Sequence, residues 1–174
     1  GLRDRCELIV GSILHYNKLN ILMKERRPDI VFHAAAYKHV HLMQDNIDEA
    51  VYNNVIGTKR VIEAAIGAGV KLFTFISTDK VVNPTSVMGA TKKLCEYYIQ
   101  CLKPKGMRFN IVRFGNVINS NGSALPLFER QIAGQGYVTV THKKMKRFFM
   151  SIREAAQLVI ESTAKGKRDV IHIL

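Results

Sequence analysis

Two short apolar runs, DIVFHAAA at 29–36 and KLFTFIS at 71–77, constrain the fold of this chain more than any other feature. Apolar runs of this length with little polar alternation suit strands covered on both faces, as in parallel sheets. Parallel neighbours cannot be joined by tight hairpins and need crossover connections, usually helices. The sequence supplies them. From Asp48 to about Ala68, the residues Ala50, Val51, Val55, Thr58, Ile62 and Ala65 recur at helical spacing, and Gly67 and Gly69 close the segment. SVMGATKKLCEYYIQCL (86–102), LPLFERQIAG (125–134) and IREAAQLVIESTA (152–164) also read as helices, and Leu19, Leu22 and Met23 mark one before Pro28. FNIVRF (109–114) and DVIHIL (169–174) read as strands, ELIVGSIL (7–14) as a short strand, and YVTVT (137–141) and FFM (148–150) as short extended pieces. Strands alternating with helices predict an α/β fold with a doubly wound parallel sheet.

Composition removes several classes of function. At 174 residues, 47% hydrophobic and 23% charged, the chain can build one soluble core. No apolar stretch approaches the roughly 18–20 residues of a membrane span. GLRDRCELIV does not have the layout of a signal peptide, so the expected location of this segment is cytoplasmic. Cys6, Cys95 and Cys101 form no C-x-x-C pair and point to reduced thiols. His39 and His41 have no carboxylate or cysteine at ligand spacing, so no metal is expected. The net charge of +12 fits either nucleic acid or an anionic small substrate. The basic residues are mostly dispersed, with one cluster, HKKMKR at 142–147, and no nucleic-acid-binding signature accompanies them. Solvated helix faces account for most of the charge, and no nucleic-acid partner is expected.

The chemistry sits where the second apolar run stops. Ser77, Thr78, Asp79 and Lys80 follow it, at the carboxyl end of a strand, where open α/β sheets place ligands. Twelve residues past Lys80, the next helix presents Lys92 in MGATK. None of the twelve glycines forms G-x-G-x-x-G or G-x-x-G-x-x-G, the loop that cradles a dinucleotide pyrophosphate.

HAAAYKHV (33–40), NNVIGTKRVIEAA (53–65), FISTDKVVNPTSVMGATK (75–92), RFGNVINSNGSALPLF (113–128) and RFFMSIREAAQL (147–158) occur in an order that resembles a known family. They are similar to nucleotide-sugar dehydratases of the extended short-chain dehydrogenase/reductase superfamily, in particular the UDP-N-acetylglucosamine 4,6-dehydratases of bacterial capsule, O-antigen and glycan biosynthesis. The resemblance runs from about Cys6 to Leu174. It implies a Rossmann-like sheet lacking its glycine-fingerprint unit, with Cys6–Ile13 as the third strand of the fold and the first two upstream of Gly1. Residues 1–174 would then be part of an NAD(P)-binding catalytic domain, with upstream and downstream parts missing and substrate-binding elements mainly in 116–174.

The resemblance also implies roles. Asp79 would protonate the leaving C6 hydroxyl and Lys80 would take the C5 proton, with Thr78 and Ser77 orienting the transition state. Ala34, Ala35 and Ala36 would let the backbone approach the cofactor, Lys92 would bond its ribose, Asn54 would order that region, and Ser77 would join the cofactor site. Lys38, His39, Asn116, Pro126 and Arg147 match positions lining the UDP-sugar, and Arg147 would pair with its diphosphate. The superfamily's usual dyad is Tyr-x-x-x-Lys, a spacing absent from this chain, and Met88 stands where the tyrosine would precede Lys92. This matches a methionine-containing subgroup that is typically anchored by upstream membrane helices, so the whole protein would lie at the inner membrane with this domain on the cytoplasmic side. Ser12 replaces an aspartate that contacts adenine in relatives. A homo-oligomer is in keeping with the family.

A C4 epimerase or reductase of the same fold is the nearest alternative, but those reactions rely on the Tyr/Lys pair and need no acid–amine pair after Ser-Thr. An inactive homologue or a basic binding module is the alternative from another class. The hexose, NAD against NADP, and epimerisation at C5 stay open.

Overall fold

The computed structural model describes residues 5–102, 106–118, 120, 124–140, 142–165 and 169–174. Four strands, β1 (Ile30–His33), β2 (Leu72–Thr78), β3 (Arg108–Phe114) and β6 (Val170–Ile173), form one sheet in the order β1-β2-β3-β6. Every pair is parallel, with Ile30 beside Leu72, Leu72 beside Arg108 and Asn110 beside Val170. Two further short strands, β4 (Asn116–Val117) and β5 (Phe149–Met150), pair in parallel apart from it. The helices are α1 (Tyr16–Arg26), α2 (Val40–Asp45), α3 (Ile47–Val51), α4 (Thr58–Gly67), α5 (Val87–Leu102), α6 (Ala124–Gln135) and α7 (Ile152–Lys165).

Strand alternation sorts the two faces of the sheet. Phe73 and Phe75 of β2 and Phe109 and Ile111 of β3 enter a core with Val61, Ile62 and Ala65 of α4 and Cys95 and Ile99 of α5. Phe73 meets Phe109 edge-on at 5.9 Å between ring centres. The intervening residues face α7, where Thr74 shares a hydrogen bond with Thr163 at 3.0 Å and Asn110 donates to the Ser162 carbonyl at 3.3 Å. Helices on both faces give the doubly wound parallel architecture expected from the alternation of elements.

Three expectations need correction. Residues 7–14 do not form a strand: no ladder forms there, and Leu8 and Val10 are 95% and 91% exposed. A strand requires a hydrogen-bonding neighbour, and among the described residues β1 pairs only with β2. Residues 137–140 also pair with no strand, because the Thr139 amide and hydroxyl bond the Gln131 side chain on α6; Thr141 lies outside the described residues. The helix from Asp48 onward is not uniform. Between α3 and α4, residues Tyr52–Gly57 form a π-helical turn, a feature often found at functional sites, and Asn53 and Asn54 are buried there. Helix α2 had no counterpart in the sequence reading.

Candidate active site

The site begins where β2 runs out of sheet. Thr78, in extended conformation, caps a 3-10 turn over Asp79–Val81. Its hydroxyl donates to Asp79 Oδ1 at 3.0 Å and accepts the Lys80 amide at 3.4 Å. Lys80 Nζ donates to Asp79 Oδ1 at 2.9 Å and to Asn116 Oδ1 at 3.3 Å. The acid and amine therefore face each other, with side chains 40% and 32% exposed. Burial pushes the Asp79 carboxyl up, but the hydrogen bond and charge of Lys80, with help from Thr78, outweigh it and hold the group below its ordinary value.

Lys92 approaches the same strand end from α5. Its ammonium donates to the Ile76 carbonyl and lies 3.8 Å from the centre of the Phe75 ring. Burial pushes this amine down to about 8, and Cys95 and Glu96 draw it part of the way back. His33, at the end of β1, is buried against Thr58 at 2.9 Å; burial, with the nearby Lys92 charge, pushes its imidazole down to about 3.

The loop after β1 is held by Asn54. This fully buried amide accepts the Tyr37 N–H at 2.7 Å and donates to the Tyr37 carbonyl at 3.0 Å and to Thr91 Oγ1 at 3.1 Å. Thr91 precedes Lys92, so one side chain of the π-helical turn ties the Ala34–Tyr37 loop to α5. Ala34 and Ala35 are exposed and carry only methyl groups, leaving this backbone open to a ligand. A loop of small residues at the sheet's carboxyl edge, with a buried ammonium behind it, fits a dinucleotide cofactor.

Not every expected residue joins this group. Ser77 is buried, and its only hydroxyl proton goes to Glu96 at 2.6 Å, so it offers a ligand an acceptor and no donor. Met88 packs in a small apolar cluster with Met43 and Ala50. Lys38 reaches Ser120 Oγ at 3.4 Å, bringing the loop after β1 to the loop after β4. His39 precedes α2 and lies edge-on to His41. The Arg147 guanidinium turns back onto the Lys146 carbonyl, although the next residue, Phe148, accepts the Asn116 amide at 3.0 Å. Pro126 sits in the first turn of α6. Among the described residues no three metal-ligating side chains cluster, and no helix is long and apolar enough to cross a membrane.

Two residues went unnoticed in the sequence. Gly89 lies so close to the Lys80 carbonyl that a Cβ would stand 2.5 Å from the oxygen. Gly89 opens the GATK segment, and a glycine early in a helix is the only sequence signal of that approach. Glu96, fully buried, takes two hydrogen bonds from Arg113 as well as the one from Ser77.

A parallel sheet with helices on both faces and a polar cluster at its carboxyl edge defines a Rossmann-like domain with the extended short-chain dehydrogenase/reductase fold. The chain belongs to the family described as polysaccharide biosynthesis protein, which matches residues 1–174. It is 49% identical over 166 residues to the probable polysaccharide biosynthesis protein EpsC of Bacillus subtilis, covering 95% of this chain and 28% of EpsC. It is 35% identical over 158 residues to a UDP-N-acetylglucosamine 4,6-dehydratase (inverting) of Campylobacter jejuni, covering 88% and 47%. A UDP-glucose 4-epimerase of Rickettsia bellii is 34% identical over 173 residues, covering 97% and 50%. Among solved structures, Pen from Bacillus thuringiensis superposes with a TM-score of 0.88 at 40% identity, covering 95% of this chain and 52% of Pen. A dTDP-glucose 4,6-dehydratase of Streptomyces venezuelae, solved with NAD bound, shares the fold at a TM-score of 0.85 and 20% identity, covering 94% and 56%. The chain spans about a quarter to a half of the length of these proteins.

Proposed function

We propose that this chain carries the catalytic centre of an NAD(P)-dependent nucleotide-sugar 4,6-dehydratase acting on UDP-N-acetylglucosamine. The observation that carries this reading is the Asp79–Lys80 contact at 2.9 Å, with Asn116 holding the same amine. Elimination of water across C5 and C6 needs a neutral amine for the C5 proton and a protonated carboxyl for the C6 hydroxyl. The resting pair is charged, since the Asp79 carboxyl is held low. Moving one proton across the existing hydrogen bond converts it into the acid and base required, without changing the total charge. Exclusion of water disfavours separated charges, so a bound substrate would push the pair toward this form. Delivery of the Asp79 proton to the C6 oxygen and capture of the C5 proton by Lys80 then restore the ion pair.

NAD(P), when bound, would supply a hydride acceptor at C4 and a hydride donor at C6. The C4 hydroxyl proton passes to water, and the Lys80 ammonium, in exchange with solvent, returns a proton to C5. The Ala34–Ala36 loop and Lys92 would hold it. A sugar epimerase working through a phenol would need one at the place of Met88, and that side chain is buried among Met43 and Ala50. Lys38, His39, Asn116, Pro126 and Arg147 are the proposed UDP-sugar contacts, and Asn116 meets the Asp79–Lys80 pair directly, accepting Lys80 Nζ at 3.3 Å.

The test is to incubate the full-length protein with UDP-N-acetylglucosamine in deuterated water. A 4-keto-6-deoxy product carrying deuterium at C5 is expected. Clean interconversion of C4 epimers without loss of water would contradict the reading.

A further inference from the structure

Glu96 has more hydrogen bonding than a helix carboxylate needs, and its partners are placed at a telling level of the sheet. It accepts Arg113 Nε at 2.9 Å and Nη2 at 2.5 Å, accepts Ser77 Oγ at 2.6 Å, and has Lys93 Nζ at 4.0 Å. A buried ion pair is a poor source of net stability, because desolvation cancels much of the attraction and apolar replacements often do as well. Its location suggests another use. Ser77 and Arg113 stand side by side in the β2–β3 register. Three residues beyond Ser77 is Lys80, three residues beyond Arg113 is Asn116, and those two side chains meet at 3.3 Å. Glu96 also lies one turn after Lys92 on α5.

We propose that Glu96 is a positioning residue: by tying Ser77 on β2 and Arg113 on β3 to α5, it sets the ends of both strands, and so brings Lys80, Asp79 and Asn116 into register with one another and with Lys92. One carboxylate fixes three elements, each of which delivers a side chain to the site. A point of attachment that far back controls the reacting groups through short, stiff segments, and a displacement of about 1 Å is enough to cost roughly 100-fold in rate. The kinetic consequence rests on the dehydratase reading above; the geometric one does not.

The experiment is Glu96→Gln in the full-length protein, read by steady-state kinetics and by crystallography. The amide turns an NH2 group toward a donor of Arg113 or Ser77, so the triple attachment cannot be kept. Turnover of UDP-N-acetylglucosamine should fall about 100-fold with KM changed less than about twofold, and the Lys80–Asn116 separation should pass out of hydrogen-bonding range, beyond about 3.5 Å. A lower melting temperature with unchanged turnover and an unchanged Lys80–Asn116 contact would overturn the proposal. Should Glu96→Gln fail to fold, the double variant Glu96→Met/Arg113→Met replaces the ion pair with apolar volume, and wild-type turnover in that variant overturns it equally. If the wild-type protein releases no water from the substrate, the dehydratase reading fails, and the Lys80–Asn116 distance alone decides the positioning role.

Discussion

The strand ends of β2 and β3 and residues 137–140 and 142–149, joined through Asn116 and Phe148, are built in opposite ways. Behind the strand ends, polar groups on the packed helices are buried and partnered: Glu96 by Arg113 and Ser77, Asn54 by Tyr37 and Thr91, and Lys92 by the Ile76 carbonyl. In the neighbouring segment Tyr137, Val140 and Phe149 are exposed, Phe148 is 85% exposed, and Arg147 bonds, among the described residues, only the Lys146 carbonyl. Among the described residues, backbone hydrogen bonds join the two regions, from the Asn116 amide to the Phe148 carbonyl and in the β4–β5 pairing. The difference teaches that the groups behind the proposed Asp79–Lys80 proton pair are held by the protein itself, whereas Arg147, the proposed diphosphate contact, has no comparable side-chain support among the described residues.

The largest effect should come from acidifying the rigid region. His33 is held to about 3 in the folded chain and titrates near 6.5 when unfolded. The unfolded chain therefore binds the proton first on acidification, and stability present above pH 6.5 is lost as the pH falls toward 3, by up to about 5 kcal/mol. Denaturant unfolding of the full-length protein across that range should show the loss, and His33→Gln should flatten it; an identical acid limb in the variant would remove His33 from the account. Next is Gly89→Ala. The added methyl would collide with the Lys80 carbonyl, and turnover should fall about 100-fold while affinity for UDP-sugar stays within a few fold. Unaltered turnover would mean that the strand end yields easily and that the contrast with the exposed segment is overstated. Smaller still is Arg147→Ala, expected to raise KM about tenfold with little change in turnover. An equal loss in turnover would place Arg147 among the rigid groups.

The sheet and the meeting of Asp79 with Lys80 at its edge were legible because both depend on local pattern. The apolar runs at 29–36 and 71–77 marked the strands, and the abrupt polarity of Ser77–Lys80 marked the end of one. What stayed hidden depends on contacts between distant residues. Glu96 and Arg113 read as an ordinary helix acid and an ordinary strand cation until the fold joins them across 17 positions. Residues 7–14 have the apolar content of a strand, but a strand is a property of a pair, and no partner is among the described residues. The π-helical turn that buries Asn54 leaves no periodic signature over six residues. Met88 was legible as a missing phenol, while its place beside Met43 required α2, whose short sequence VHLMQD shows little amphipathic pattern.

The central claim is that Asp79 and Lys80 share one proton and use it to remove water. It is tested most directly by Asp79→Asn in the full-length protein, with UDP-N-acetylglucosamine binding measured by calorimetry and product formation by mass spectrometry. An amide keeps the shape and a hydrogen bond from Lys80 but cannot give a proton to the leaving hydroxyl. Binding within about threefold of wild type, with release of water slowed roughly 100- to 10,000-fold, is the predicted result. Normal turnover by Asp79→Asn would contradict the account.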